Sequence, residues 1–474
     1  MSTNKDKSKW LILYKVSLFF GIVGLLIAGV VLNKKHNIID QRIEIEQILN
    51  NSVLKDKKFS AHIESISTDD LSAYFMEEHS NPIISLSFNF RYAGTAYEDD
   101  AKQGVGTMLS DMLLNGAGEY NALQFNDMIE EYGIKISFDI TRDDFSGQML
   151  TTTENLPQAI SLLQDVLYKP QFDDKYIEIT RQQMQTGLKL ISERASSVLN
   201  DKFAEIIFAS HPYSRSQIGK KETIANLNKE DLRDFMQKHF NQENLLIGIA
   251  GDIDKTTAEN IIKQIFAKLP KKSSNKQISS ADIKINAQEH NIEYPSAQIY
   301  SRFAVKGTCR QCKDFYALYI ANYILGGAGL NSRLNKIMRE ENGLTYGIYT
   351  SMSINDAANL LEGNFSTTPE NFAKAKELLL SEWHKMAQQG ISIAELNQTK
   401  EALIASFNLR FANINNISDI LVAMQKYSLG IDFLDKRNDY IRNLTLDEVN
   451  AAAHKYFSID PETVNIGFAQ EEKM

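Results

Sequence analysis

The chain reads GGAGLNSRLNKIMREENGLTYG from Gly326 to Gly347, and this stretch is the second copy of a pattern. In each copy an apolar, helix-like segment ends in a glycine-rich turn, LLNGAG (Leu113 to Gly118) or ILGGAG (Ile324 to Gly329). A second helix-like segment follows each turn and closes on Glu-Glu-x-Gly. The copies lie about 210 residues apart, which is far longer than the period of a repeat array. The spacing therefore predicts two domains of one fold.

Hydrophobic periodicity gives the same order of elements in both halves: strand, helix, strand, strand, helix, helix. In the first half, alternation predicts two antiparallel strands within Leu71–Ala93 on either side of a turn. Helices are predicted at 103–114 and 122–132, and strands at 134–140 and 145–152. The order predicts an α+β fold of two homologous domains, each a largely antiparallel sheet packed with helices.

The stretch KLPKKSSNKQISSADIKINAQEH has no aromatic residue and is rich in Lys, Ser and Asn, which is typical of a linker. The predicted organisation is a tail and anchor at 1–36, a stalk at 37–58, a first domain at 59–268, a linker at 269–292 and a second domain at 293–474. Of the 474 residues 43% are hydrophobic, which is enough for sizeable cores. The net charge of −9 argues against nucleic acid as a partner.

An apolar run, VSLFFGIVGLLIAGVVL, extends from Val16 to Leu32. Its length of about 25 Å as a helix is near the lower limit for crossing a bilayer. More lysines precede the run than follow it, which favours an uncleaved anchor with the body outside the cytoplasm. A cleaved signal peptide is the alternative, although no Ala-x-Ala site follows. The sequence thus predicts a membrane-anchored, extracytoplasmic protein, on the periplasmic side of a bacterial inner membrane, with residues 16–32 in the membrane.

The two cysteines, Cys309 and Cys312, form a single C-x-x-C pair. One pair supplies half of a structural zinc site, and the chain has no second pair to complete it. A local disulfide is the favoured state in an oxidising compartment. Free thiols and a redox function are the alternatives.

The second copy resembles the matching segment of the insulinase and pitrilysin superfamily, in its processing-peptidase-like branch. The resemblance covers roughly residues 60–470 and rests on the glycine-rich turn, Ser332–Leu334 and the spacing of Arg339 and Tyr346. In that family such an Arg and Tyr reach the scissile carbonyl in the partner half of a clamshell. The resemblance therefore implies that Arg339 and Tyr346 are catalytic residues that act in trans.

The family's glycine-rich loop borders the substrate cavity. The resemblance thus implies that Gly326, Gly327 and Gly329 bind substrate, although a glycine cluster after an apolar run also commonly caps a helix. Ser332 and Arg333 are expected to cap and brace the next helix.

The zinc motif is missing from the first copy. Active members carry H-x-x-E-H on the helix before the first turn, where two His hold zinc and Glu activates water. Here that helix reads GVGTMLSDMLLNG, and the three positions fall on Thr107, Ser110 and Asp111. Two hydroxyls and one carboxylate cannot replace two imidazoles, because protein zinc sites use three or four His, Cys or acidic ligands.

The family's third ligand, a Glu, should fall near Gly187, but no Glu lies between Ile179 and Ser192. No H-E-x-x-H is present, and no two of the eight His are spaced to share a helix face with a carboxylate between them. The resemblance implies that this chain binds no cofactor and that zinc sits in a partner subunit. The family-like segment His211–Tyr213 is interpreted as structural.

The resemblance therefore implies a zinc-less subunit of a heteromeric insulinase-type metallopeptidase, which is not catalytic by itself. It would supply Arg339 and Tyr346 to a zinc-bearing homologous partner that cleaves peptides or unfolded proteins. The alternatives are a non-hydrolytic, peptide-binding clamshell, which captures peptides by strand addition, and a membrane-tethered scaffold. The presence of both Arg339 and Tyr346 favours the first hypothesis, because neither alternative needs donors to an oxyanion.

Overall fold

The computed structural model describes residues 62–68, 71–273 and 277–468. The chain divides into two compact units, Met1–Phe59 and Ser60–Met474, and the described residues all belong to the second.

The described residues form two main sheets and one short hairpin. Their strands are β1 (Ile63–Thr68), β2 (Leu71–Glu77), β3 (Ile83–Arg91), β4 (Gly116–Ala117), β5 (Tyr120–Asn121), β6 (Lys135–Ile140), β7 (Asp144–Thr152), β8 (Leu245–Gly251), β9 (Glu289–Glu293), β10 (Ile299–Lys306), β11 (Ile348–Ile354), β12 (Asn359–Thr367) and β13 (Glu462–Phe468).

Helices cover the faces of these sheets. They are α1 (Val105–Met112), α2 (Ala122–Glu131), α3 (Leu156–Tyr168), α4 (Asp174–Ser192), α5 (Ala195–Phe208), α6 (Lys221–Asn226), α7 (Lys229–His239), α8 (Lys255–Phe266), α9 (Phe315–Asn322), α10 (Arg333–Asn335), α11 (Phe372–Gln389), α12 (Ile393–Asn408), α13 (Ile414–Lys426), α14 (Phe433–Arg442) and α15 (Leu446–Phe457).

The first sheet has the order β1-β2-β8-β3-β7-β6, and only the β2–β8 pair among its described strands is parallel. The predicted strands within Leu71–Ala93 exist as β2 and β3, but β8 lies between them. Alternation shows that a segment is a strand and does not specify its neighbour. Strand β8 suits the central position because its residues are apolar or glycine and nearly all buried.

The second sheet has the order β11-β12-β10-β13-β9, and its β13–β9 pair is parallel. The other pairs of this sheet are antiparallel. Both sheets are therefore largely antiparallel and packed with helices, which confirms the predicted α+β class. The predicted domain boundaries stay a prediction.

Each sheet is covered on one side by a helix from the other half of the chain. Helix α13 packs on β8 and β3 of the first sheet, and α5 packs on β13 and β10 of the second. The approach of α13 is close, because a Cβ on Gly248 of β8 would lie 2.3 Å from the Ser418 carbonyl oxygen. This exchange of helices interlocks the two halves.

Three hydrophobic cores follow from this arrangement. The first surrounds Phe88 of β3, and the second surrounds Trp383 of α11, whose side chain is fully buried. The third joins the halves, because Phe203 and Ile207 of α5 pack with Val464 of the second sheet.

Tyr213 ties the halves together with polar contacts. Its hydroxyl donates to the Asp143 carboxylate and accepts from the Ala357 backbone N–H at 3.0 Å. The other Asp143 oxygen accepts from the Asp356 backbone N–H, also at 3.0 Å. Burial raises the pKa of Tyr213, so the phenol stays protonated. The structural role expected for His211–Tyr213 is confirmed.

Residues 277–288 form neither helix nor strand, yet they are held to both halves. The Ala281 backbone N–H donates to the Ala357 carbonyl at 2.8 Å, and that of Lys284 donates to the Ile207 carbonyl at 3.0 Å. Ile283 also packs against the third core. This part of the predicted linker is a packed strap.

The predicted localisation needs correction. The apolar run Val16–Leu32 and the stalk at 37–58 lie outside the described residues. Among the described residues, no helix combines the length and the apolar character needed to cross a bilayer. A helix that covers a sheet needs an apolar stripe only, as α8 shows with its buried face against the first sheet. The membrane-anchored, extracytoplasmic location is therefore withdrawn.

The C-x-x-C pair is oxidised. Cys309 and Cys312 form a disulfide with their Cα atoms 5.1 Å apart. This confirms the favoured of the three states that the sequence left open.

Candidate functional site

A buried carboxylate, that of Glu98, accepts hydrogen bonds from the N-terminus of the first-copy helix α1. Both Glu98 oxygens accept backbone N–H groups at 2.8 Å, one from Gly104 and one from Gly106. Burial raises the pKa of Glu98 to about 7, against the lowering effect of these two hydrogen bonds. The Arg215 guanidinium donates to the Glu98 backbone carbonyl at 3.0 Å. Hydrogen bonds from the N-terminus of α1 to Glu98, which Arg215 also contacts, thus fix the start of this helix.

The three positions where active relatives carry the zinc motif lie on this helix. The Thr107 hydroxyl donates to the Gln217 carbonyl at 2.9 Å, and the Ser110 hydroxyl donates to the Thr107 carbonyl at 2.8 Å. Asp111 is solvent-exposed, although neighbouring groups partly desolvate its carboxyl and raise its pKa. The Thr107 and Ser110 side chains are therefore already hydrogen-bonded to backbone carbonyls.

These residues do not fit a zinc ion. Across the part of the chain that the structure describes, no group of three or more His, Cys, Asp or Glu is placed to hold a metal. At Gly187 on α4, where the resemblance puts the third ligand, an added Cβ would meet nothing within 4 Å. That the chain carries no zinc in solution stays a prediction.

The second copy differs in its backbone. Helix α9 ends at Asn322 and continues as a π-helical turn, Tyr323–Gly327, and a second π-helical turn, Lys336–Glu341, follows α10. Such turns are rare and occur frequently at functional sites. Arg339 lies in the second of them. Hydrophobic spacing predicted ordinary helix here and gave no sign of either turn.

Local packing or backbone conformation disfavours a side chain at each of the three glycines of this copy. A Cβ on Gly326 would lie 2.4 Å from the Thr350 side-chain oxygen, so the helix and β11 touch only because the side chain is absent. Gly329 has a φ of +61°, which side-chain-bearing residues rarely adopt. A Cβ on Gly327 would lie 3.0 Å from the Asn322 amide. Their contact with substrate stays a prediction.

Asn335 holds the turn and strand β11 together. Its buried amide donates to the Gly329 carbonyl at 2.9 Å and to the Ile348 carbonyl at 2.6 Å. Its side-chain oxygen accepts the Ile348 N–H at 3.2 Å. Sequence reasoning missed this residue. The sequence offered one signal for it. Asn335 directly follows the apolar Leu334, so on a helix its side chain could also face the protein interior.

Ser332 and Arg333 cap and brace the following helix, as predicted. The Ser332 hydroxyl donates to the Gly329 carbonyl at 2.8 Å and accepts the Asn335 N–H. Arg333 binds Glu395 through two hydrogen bonds of 2.7 and 2.8 Å. These bonds from Arg333 are the main reason that the pKa of Glu395 is lowered to about 2.

Arg339 and Tyr346 are both exposed, and the Tyr346 side chain is 85% exposed. Neither side chain makes a hydrogen bond, ion pair or ring contact with another described residue. The chain between them is nevertheless fixed. The Leu344 N–H donates to the Met338 carbonyl at 2.8 Å, and the Thr367 hydroxyl donates to the Leu344 carbonyl at 2.6 Å. A fixed backbone thus presents two side chains whose hydrogen-bond donors are free.

Tyr346 lines a cavity of about 630 Å³ between α5 and the second sheet, together with Tyr300 and Tyr349. Arg302 also lines it, but its guanidinium is already bound to Glu362 and Asn200. Within the described chain, neither Arg339 nor the three first-copy positions belong to this lining. Of the predicted site residues, Tyr346 alone belongs to the lining of this cavity.

Comparison with known proteins agrees with this architecture. The family described as insulinase (peptidase family M16) matches residues 84–221, and the peptidase M16 inactive domain matches residues 226–403. A Helicobacter pylori protein named non-peptidase homolog YmxG is 23% identical over 379 residues, which cover 79% of this chain and 87% of that protein. The mitochondrial-processing peptidase subunit beta of Saccharomyces cerevisiae is 22% identical over 331 residues, covering 67% and 72%.

Solved structures show the same fold. A peptidase M16 inactive domain from Pseudomonas fluorescens superposes with a TM-score of 0.81 at 25% identity, covering 86% of this chain and 99% of that one. A Helicobacter pylori protease superposes with a TM-score of 0.76 at 17% identity, covering 86% and 100%. With M16 domains in both halves and no zinc-ligand set among its described residues, the chain belongs to the insulinase superfamily, in its inactive branch.

Proposed function

We propose that this chain is the zinc-less subunit of a heteromeric insulinase-type peptidase. In this proposal Arg339 and Tyr346 act in trans at the metal site of a zinc-bearing homologue, and the substrate is a peptide or an unfolded protein. The observation that carries it is the exposure of two side chains, both hydrogen-bond donors without a partner, on a fixed backbone. A side chain that only stabilises its own fold is normally engaged with it, as Arg333 is.

The chemistry of the two side chains suits a peptide carbonyl. A guanidinium and a phenol both donate hydrogen bonds without needing a metal. The carbonyl oxygen gains negative charge as the peptide bond is attacked, so donors aimed at it stabilise the transition state more than the substrate. The partner's zinc would supply the activated water. Arg339 and Tyr346 would orient the carbonyl and stabilise its developing charge.

The relatives support a division of labour. The Helicobacter pylori relative is named a non-peptidase homologue, and the yeast relative is by its name one subunit of a processing peptidase. A chain whose first copy has backbone-bound hydroxyls in place of metal ligands needs such a partner if it is to take part in proteolysis.

The test is reconstitution. The chain and a zinc-bearing M16 homologue from the same cell are purified separately and mixed, and cleavage of a quenched fluorescent peptide and of unfolded casein is measured. We expect activity in the mixture and none from this chain alone. Arg339→Ala should lower kcat of the mixture by about 10²–10³-fold, the usual effect of losing one oxyanion donor.

Lys336→Ala is the matched control, because Lys336 is an exposed cation in the same π-helical turn. It should leave the rate unchanged. A mixture that is unimpaired by Arg339→Ala would rule out the role in trans. A complex that binds the peptide and never cleaves it would favour the peptide-binding clamshell instead.

A further inference from the structure

A second cavity, of about 510 Å³, opens beside the turn that the disulfide closes. This volume lies within the ~300–1,000 Å³ that small-molecule sites occupy. Much of the wall is apolar or aromatic and comes from Tyr316, Leu429, Phe433, Tyr440 and Leu444. The cavity shares no residue with the lining that contains Tyr346, nor does it include Arg339. It is independent of the site proposed above.

Arg310 projects over this aromatic wall. Its guanidinium carbon lies 4.2 Å from the centre of the Phe315 ring and 5.3 Å from that of Phe433. One of its N–H groups donates to the Tyr316 hydroxyl at 3.0 Å. A guanidinium has five N–H donors, and among the described residues this is the one hydrogen bond that Arg310 makes through its side chain. Donors therefore remain for a ligand.

The disulfide fixes the position of Arg310. Arg310 and Gln311 are the two residues enclosed between Cys309 and Cys312. The Cys312 N–H donates to the Cys309 carbonyl at 3.1 Å, and the Gln311 amide donates to the Tyr427 carbonyl at 2.6 Å. The ring is thus closed covalently and tied to the chain segment that follows α13.

The charge of the lining is positive. Neither Arg310 nor Lys313 pairs with a carboxylate of the described chain. Glu448, the one carboxylate in the lining, is engaged at the start of α15, where it accepts the Thr445 N–H at 2.7 Å and the Thr445 hydroxyl at 2.8 Å. Two cations and one carboxylate therefore line the cavity, which leaves one net positive charge, and neither cation is paired with that carboxylate.

We propose that this cavity binds a small amphipathic anion, an aliphatic or aromatic tail that carries one carboxylate. Arg310 is the anion-binding residue, because a guanidinium can bind a carboxylate through two parallel hydrogen bonds. The tail lies against Tyr316, Phe433 and their apolar neighbours, where burial stabilises it. The disulfide holds Arg310 in position over the tail.

Calorimetry of the full chain with decanoate tests the proposal, and decanamide is the neutral probe of equal length. We expect decanoate to bind about 10–100-fold more tightly than decanamide, which corresponds to one charged hydrogen-bonded pair. Arg310→Gln should weaken decanoate binding by a similar factor and leave decanamide binding unchanged. Arg233→Gln, which alters an exposed arginine outside the cavity, should change neither.

Reduction tests the role of the disulfide. Dithiothreitol delivers two electrons and two protons, so Cys309 and Cys312 become thiols while the reagent closes to its own cyclic disulfide. Binding of decanoate should then weaken by about tenfold, because Arg310 loses its fixed position. The double variant Cys309→Ser, Cys312→Ser should behave like the reduced chain without reductant.

Three results would overturn the proposal: no decanoate binding to the oxidised chain, equal affinity for the acid and the amide, or full affinity in folded Arg310→Gln. The first two need no variant, so a failure of Arg310→Gln to fold leaves the proposal open to refutation. Undiminished binding after verified reduction would overturn the role given to the disulfide.

Discussion

The two copies of the glycine-rich turn differ in where their polar side chains are directed. In the first copy, the hydroxyls of Thr107 and Ser110 donate to backbone carbonyls of the protein itself. In the second copy, the buried Asn335 donates hydrogen bonds to backbone carbonyls of the protein itself, while Arg339 and Tyr346 remain exposed and unpaired. The two copies thus share a turn but differ in which polar side chains are engaged with the protein itself.

The backbones differ as well. In the first copy the glycine-rich turn contains β4 of the β4–β5 hairpin, and the regular helix α2 follows, beginning with a capping box at Asn121 and Gln124. In the second copy one π-helical turn, Tyr323–Gly327, overlaps the glycine-rich turn, and another, Lys336–Glu341, follows it. Copies that match in sequence therefore need not match in helical geometry.

The largest expected effect comes from restoring zinc ligands to the first copy, which tests whether their loss distinguishes the two copies. A variant with Thr107→His, Ser110→Glu, Asp111→His and Gly187→Glu should retain about one zinc per chain after dialysis, because it regains three ligands. The wild type should retain none, as measured by elemental analysis. The same variant with Gly187 kept should bind more weakly. Stoichiometric zinc in the wild type would contradict the ligand argument.

The second copy is tested at its exposed tyrosines. Tyr346→Phe removes one hydrogen-bond donor and should lower kcat of a reconstituted mixture by about 10²-fold. Tyr349→Phe is the matched control, because Tyr349 is 48% exposed on the same cavity. Equal losses in both variants would show that the cavity as a whole, and not the Tyr346 hydroxyl, affects the rate.

Glu98 makes the first copy sensitive to pH. Its pKa is about 7 in the folded chain against an ordinary value of 4.5. Between these values the folded state holds a proton that the unfolded state has lost, so the free energy of unfolding falls as pH rises. Glu98→Gln removes this fall, and its stability relative to wild type should rise by up to about 3 kcal/mol between pH 4.5 and 8.

Urea denaturation of both proteins at the two pH values measures this difference. Other titrating groups cancel in the comparison, including His239, whose pKa is lowered to about 4 by burial. Parallel pH profiles for wild type and Glu98→Gln would contradict the prediction.

The smallest expected effects concern the second turn. Gly326→Ala should destabilise the protein by about 1–3 kcal/mol, because its Cβ would lie 2.4 Å from the Thr350 side-chain oxygen. Gly329→Ala should cost about 1 kcal/mol, because that site has open space and only the positive φ opposes a side chain. Thermal denaturation should rank the two variants in this order. The reverse order would show that the contact with Thr350 relaxes easily.

Local periodicity was enough to predict single elements of the fold. The helix predicted at 122–132 is Ala122–Glu131, and the strand predicted at 134–140 is Lys135–Ile140. The placement of β8 and the exchange of α5 and α13 were not predicted. Periodicity shows which face of an element is apolar, but it does not show which sheet that face will cover.

The candidate site was predictable in residue type and spacing only. Arg339 and Tyr346 stand out because a family pattern fixes their separation, and their exposure agrees with an outward role. Asn335 could not be assigned from the sequence, because a buried asparagine that satisfies backbone groups looks like any surface polar residue. The π-helical turns were equally hidden, and only the structure shows that the first of them, Tyr323–Gly327, packs against β11.

The exchange of helices has a consequence for synthesis on the ribosome. All the described strands of the first sheet have been made once Gly251 is added, but the covering helix, Ile414–Lys426, follows roughly 160 residues later. At about 5–20 residues per second the nascent sheet waits roughly 10–30 seconds with one face open. During that interval the growing chain exposes an unfinished surface to the cell, and chaperones that shield nascent chains should raise its yield.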